Sequence, residues 1–309
     1  MVAFHLHRKI VLMGWRTVVI GCESKVSLSV NRMKITIGEE FQSFPLCEID
    51  SVIFSHNRVV MTIPLLSKLV ENNINVIICD EKNDPIGIFQ SFNSHSLVFK
   101  QLQKQIGWKI TRKKKLWKII VENKIQSEID VFKLLERNAK EIELLNVYKN
   151  SVYNDDQTNR EAAAARYFFG IMFGTEFTRD DDSEINYALN YGYKILASYI
   201  SKCLASRGLI TQLGIHHIGE SNPFNLTYDF IESFRAIIDI WAKVNVNGMF
   251  DTFLKTELIG ILNFRVYVDH KWMKLCDAIE DIIDSYISFL DEKRNDVLRI
   301  DLSKGIKEE

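Results

Sequence analysis

The sequence predicts an α+β protein, with an N-terminal β-sheet domain carrying a small helix and a larger all-α domain after it. Three observations predict this. β-Branched, alternating residues fill the first 95 or so positions, helical periodicity takes over from about residue 96, and only Pro223 of the four prolines falls beyond that point. At 309 residues the chain exceeds one typical domain length, so two cores are expected.

Residues 1–12 read as a leader or upstream extension, with His5, His7, Arg8 and Lys9 among apolar residues and no small-residue cleavage site. Regular alternation begins after Met13, at Gly14-Trp15-Arg16. Residues 13–95 form the β-rich domain. Val18-Val19-Ile20, Val26-Ser27-Leu28-Ser29-Val30 and Lys34-Ile35-Thr36-Ile37 are its short strands, with Gly21 and Gly38 as breaks. Pro64, followed by apolar residues at helical spacing, starts a small helix. Asn75 to Cys79 is a buried strand ended by the turn at 80–84 and Pro85. The polar run Asn93, Ser94, His95 and Ser96 connects this domain to the helical residues 96–309.

The formal charge of -1, from 39 Lys and Arg against 40 Asp and Glu, excludes a uniformly basic surface. Any nucleic-acid site is therefore a local patch. The five cysteines lie without a close pair, which fits neither a disulfide framework nor a zinc knuckle and points to the reducing cytoplasm. No apolar stretch reaches the length of a membrane span.

A local patch does exist. Residues 100–118 hold Lys100, Lys104, Lys109, Arg112, Lys113, Lys114, Lys115 and Lys118, with Trp108 and Trp117 between them and no acid. In a neutral chain such segregation suits phosphate contact, with a solvated helix face as the alternative. Asp229 and Glu232 stand three apart on a predicted helix and so share a face. A divalent ion such as Mg²⁺ or Mn²⁺ relieves their repulsion; the bland alternative is an exposed pair with one acid bridged to Arg235. Gly214-Ile215-His216-His217-Ile218-Gly219 supplies two adjacent imidazoles, which cannot point the same way, so at most one joins the acids. Glu161 opens an alanine-rich helix that permits close packing, preceded by polar cap candidates such as Thr158 and Asn159. Its carboxylate is either partnered there or stabilises the helix N-terminus. The acidic run at 180–184 lacks the glycine and closing Glu of a calcium loop.

Taken in order, these segments resemble the CRISPR-associated integrase subunit, in its type II-A branch. The series is Glu161 with Arg166-Tyr167-Phe168, Arg179 with Asn186 and Leu189-Asn190-Tyr191-Gly192-Tyr193, then Gly214-Ile215-His216-His217, then residues 225–235 with Asp229, Glu232 and Arg235. The likeness also takes in Gly14-Trp15-Arg16 and residues 74–87, and so spans nearly the whole chain. It implies that residues 96–309 are the catalytic domain and that the first domain forms a homodimer. It implies a metal site of Glu161, His217 and Glu232, with Asp229 as a further ligand or supporting acid. The implied ion is Mg²⁺ or Mn²⁺, and the implied reaction is attack of a spacer 3′-hydroxyl on a repeat phosphodiester, with associated endonuclease activity. Lys109, Arg112, Lys113, Lys114, Lys115, Arg160, Arg166, Arg179 and Arg235 are the candidates for holding double-stranded DNA, both spacer precursor and CRISPR repeat. The family also implies a heterohexamer with a small ferredoxin-like adaptation subunit, assisted by a type II effector nuclease and an accessory adaptation protein. Two rivals stay open: a transposon-type integrase and a non-catalytic DNA-binding scaffold. No G-x-x-x-x-G-K-[ST] phosphate loop is present, in keeping with a transesterification that needs no nucleotide triphosphate.

Overall fold

A computed structural model describes residues 10–13, 17–49, 51–80, 85–89 and 97–308. It divides into two compact units, residues 1–96 with 205–207, and residues 97–204 with 208–309. Gly14-Trp15-Arg16, the turn at 81–84 and the connector at 91–96 lie outside the described residues.

In the first unit, β1 (Ile10–Met13), β2 (Thr17–Ile20), β6 (Ser51–Phe54), β8 (Asn75–Cys79) and β9 (Pro85–Phe89) form one sheet in the order β1-β2-β6-β8-β9. Strand β1 pairs antiparallel with β2, so residues 10–12 of the expected extension belong to the sheet. The parallel registers align Val18 with Val52 and Val52 with Val76, three side chains at most 1% exposed. That row is the floor of the core. A second sheet runs β5-β4-β3-β7, from β3 (Ser24–Ser29), β4 (Arg32–Ile37), β5 (Glu40–Pro45) and β7 (Val59–Met61). Alternation places Val26, Met33 and Ile35 inward. Helix α1 (Ile63–Glu71) begins with Pro64 in its first turn and buries Leu65 and Leu69, one turn apart, against the same core.

The second unit is helical: α2 (Val98–Ile106), α3 (Ile110–Leu134), α4 (Ala139–Asn150), α5 (Arg160–Phe173), α6 (Glu184–Ser206), α7 (Asn225–Ile231), α8 (Arg235–Asn245), α9 (Thr252–Ile259) and α10 (Leu275–Leu290). Helix α3 is its axis. From Leu116 onward it buries residues on all sides, as a helix enclosed by others must. One hairpin, β10 (Arg265–Val268) and β11 (Lys271–Lys274), interrupts the helices. Its turn, Asp269-His270, has both residues at positive φ, the hairpin conformation usually marked by glycine. Without that glycine the sequence gives little sign of it. Among the described residues no helix is long and apolar enough to cross a membrane, and no disulfide joins the cysteines.

Candidate active site

Helix α5 starts at Arg160 because Asp156 accepts the two exposed amides of its first turn, from Arg160 and Glu161, each at 2.9 Å. The cap is therefore Asp156 rather than the nearer Thr158 or Asn159; Asn159 is left-handed at φ 51° and makes no side-chain cap bond. Glu161 is thereby fixed in the first turn, and its carboxylate accepts a hydrogen bond from the Lys124 ammonium of α3. The same ammonium lies 2.6 Å from Glu232 Oε2. Arg235 Nε donates to the other oxygen of Glu232 at 2.8 Å. Burial pushes the Glu232 carboxyl up, but Arg235 and Lys124 outweigh it and hold the group down at about 2. Burial likewise opposes the charge on Lys124, and the Glu232 and Glu161 carboxylates raise it above the ordinary lysine range.

Asp229 and Glu232 take different partners. Helix α7 ends at Ile231 and Glu232 opens a single 3-10 turn. Asp229, fully buried, instead organises the histidine loop. Its Oδ2 accepts the amides of Ile215 at 2.6 Å and His216 at 3.2 Å, and its Oδ1 accepts the amide of His217 at 2.9 Å and the His217 Nδ1 at 2.7 Å. That hydrogen bond raises the His217 pKa against the opposing effect of burial, with the Asp229 and Glu232 charges adding to it. Gly214 is obligatory here: a Cβ would sit 2.2 Å from the His217 carbonyl oxygen and 2.7 Å from Asp229 Oδ2. Gln105 of α2, completely buried, staples the upstream end of the loop, donating to the carbonyls of Ile210 and Leu213 and accepting the Ile210 amide.

His216 turns the other way, stacked on Trp117 with centroids 4.2 Å apart and planes within 5°. Its Nδ1 lies 3.1 Å from Asp155, which also pairs with Lys114 at 3.1 Å. His217, with Nδ1 taken by Asp229, keeps Nε2 as its other ring nitrogen and lines a cavity of about 580 Å³ shared with Lys113, Gly219 and Asn225. Asn225 Oδ1 is buried there without a hydrogen-bond partner.

Among the described residues no three His, Cys, Asp or Glu side chains close around a common metal position. The donor set nonetheless suits an oxygen-seeking divalent ion. Glu161 and Glu232 already converge on one cation, the Lys124 ammonium, and His217 is oriented by a carboxylate on its far nitrogen as metal-ligating histidines are.

The basic candidates divide. Arg112 donates to the Phe289 and Arg294 carbonyls and to Asn295, and lies over the Phe289 ring, so it fastens the end of α10. Lys109 pairs with Glu292 and Lys114 with Asp155. Lys113 faces the cavity beside His217, Lys115 lies 5.9 Å from the Phe289 ring centroid, and Arg166 is exposed. Arg160 Nε is buried without a partner. Arg179 bonds Asn186 and Asn190, and with Arg235 flanks the Tyr193 ring. Asn186 in turn donates to the Thr178 and Asp181 carbonyls, so it braces the acidic loop. The residue that sequence reading missed is Lys124. It occupies the apolar stripe of Trp117, Ile120, Val121 and Ile125, six positions beyond the last lysine of the basic run. Lysine at a core position of a helix is the signal that singles it out.

A sheet-bearing first unit followed by a helical unit is the architecture of several solved proteins. A casposase bound to its integration product matches with a TM-score of 0.74 at 18% identity, over 95% of this chain and 94% of that one. A Cas1 protein from Thermotoga maritima matches with a TM-score of 0.72 at 14% identity, over 89% and 97%. At those identities the likeness shows the fold. The family follows from sequence: the model for CRISPR associated protein Cas1 matches residues 17–248, and the chain belongs to the Cas1 family. A CRISPR-associated endonuclease Cas1 from Neisseria meningitidis serogroup C (strain 8013) is 30% identical over 303 residues, 96% of this chain and 99% of its own length. A second from Pyrobaculum aerophilum is 26% identical over 210 residues, 64% of this chain and 71% of that one.

Proposed function

We propose that this chain is a divalent-metal-dependent DNA integrase of CRISPR adaptation, joining new spacer DNA to a repeat by 3′-hydroxyl attack, with endonuclease activity when water replaces the hydroxyl. The observation that carries the reading is the convergence of the Glu161 and Glu232 carboxylates on one cation, beside a histidine oriented by Asp229. Glu161, His217 and Glu232 would hold Mg²⁺ or Mn²⁺. The ion would polarise the scissile phosphate and stabilise charge on the leaving oxygen. The chain's own residues do the positioning. Asp229 fixes the His217 tautomer and the loop backbone, and Arg235 restrains the Glu232 carboxylate. Lys113, which lines the cavity, and the exposed Arg166 offer charge to DNA phosphates.

The motif series supports the type II-A branch, and with it a homodimer, a small ferredoxin-like partner in a heterohexamer, a type II effector nuclease and an accessory protein, all acting in the cytoplasm. The near-complete overlap with the Neisseria endonuclease favours adaptation over a transposon-type integrase. In a gel assay with Mn²⁺, the small partner and a repeat-bearing plasmid, Glu161→Ala abolishes joining and leaves the homodimer intact. Retained joining would overturn the assignment.

A further inference from the structure

We propose that Lys124 is a built-in counter-cation that holds the Glu161 and Glu232 carboxylates together until a divalent ion displaces it onto Glu128. The lysine thereby sets how much ion the site requires. This rests on the metal reading of Glu161 and Glu232 given above.

Lysine is almost never buried unless paired, and Lys124, 6% exposed, has both carboxylates as partners. Two acids contributed by separate elements, α5 and the 3-10 turn after α7, would repel one another without it. An ammonium is a compact point charge on a flexible four-carbon stem, well suited to exchange for an ion. It also has somewhere to go. Glu128 stands one turn further along α3, is 2% exposed, and its Oε2 has no hydrogen-bond partner. Helical side chains lean toward the N-terminus, so Glu128 leans back over Lys124. Exchange therefore satisfies every group: the ion takes the carboxylate pair, and the ammonium takes the orphaned oxygen.

A site blocked by its own lysine nine-tenths of the time binds ligand about tenfold more weakly than the open site. Mn²⁺ alone, titrated calorimetrically into the full chain, provides the test. Lys124→Met is expected to bind about tenfold more tightly than wild type, because the competitor is gone. Lys124→Arg is expected to bind more weakly, because a guanidinium grips carboxylates through two parallel hydrogen bonds. Opposite signs distinguish competition from scaffolding, since a lysine that merely supports the fold makes both variants weaker. If circular dichroism shows the Met variant unfolded, Lys124→Gln takes its place, expected to bind more tightly than wild type under competition and more weakly under scaffolding. Glu128→Leu removes the receiving oxygen and is expected to weaken binding; unchanged affinity overturns displacement onto Glu128. Glu161→Gln separates the two claims. If it loses Mn²⁺ binding while Lys124→Met binds no tighter than wild type, the lysine proposal falls alone. If it binds Mn²⁺ like wild type, the ion sits elsewhere and both readings fall.

Discussion

The two acids of the 225–235 segment, three residues apart, end in opposite circumstances. Asp229 is consumed by structure, its oxygens occupied by loop amides and an imidazole. Among the described residues, Glu232 is held by side-chain cations, Lys124 and Arg235, that can be exchanged or moved. A carboxylate bonded to backbone builds a platform, whereas one bonded to flexible charges remains chemically available. The same division separates the adjacent histidines: His216 is packed against Trp117 and Asp155, and His217 faces a cavity.

The histidines give the largest expected contrast. His217→Ala is expected to lower strand joining by more than about 100-fold, the upper range for disturbing a metal ligand's supporting partner. His216→Ala leaves the rate near that of wild type. Equal losses in the two variants, measured by joining in Mn²⁺, would erase the distinction.

Asp229→Ala tests the platform itself, because it leaves the amides of residues 215–217 without their acceptor. Removing one partner of such a buried network costs about 3–5 kcal/mol, read as a lowered Tm and denaturant midpoint. Next in size is Gly214→Ala, where the new methyl group meets backbone and Asp229 rather than a movable side chain. Overpacking of that kind costs about 1–3 kcal/mol, and wild-type stability in the variant would mean the loop bends freely.

The smallest effect is electrostatic. Glu232 has a folded-state pKa of about 2, below its ordinary 4.5. The folded state therefore binds this proton less readily than the unfolded chain, and the group stabilises the fold above pH 4.5. That stabilisation disappears as pH falls from 4.5 toward 2. Glu232→Gln should flatten the acid limb of Tm against pH in that window; an unchanged slope would show that Glu232 is not held by its two cations.

Much of this was legible in the chain. The change from alternation to helical period separates the two units, and Pro64, Leu65 and Leu69 locate α1. Glu161 and the segment holding His217, Asp229 and Glu232 stand out through their unusual surroundings. Three things were hidden. The division of partners, Asp229 bonded to the histidine loop and Glu232 to Lys124 and Arg235, depends on distant segments that spacing alone does not reveal. The hairpin at 265–274 turns through residues that seldom adopt positive φ. The fate of each basic residue depends on distant acids and carbonyls, so Arg112 and Lys113, adjacent in sequence, separate into a structural fastener and a cavity wall.

Gln105 makes the histidine loop answerable to a residue more than a hundred positions upstream. A single amide side chain grips both Ile210 and Leu213, so the position of helix α2 is built into the start of the loop. Alignment of the histidine thus draws on α2 through Gln105 as well as on α7 through Asp229.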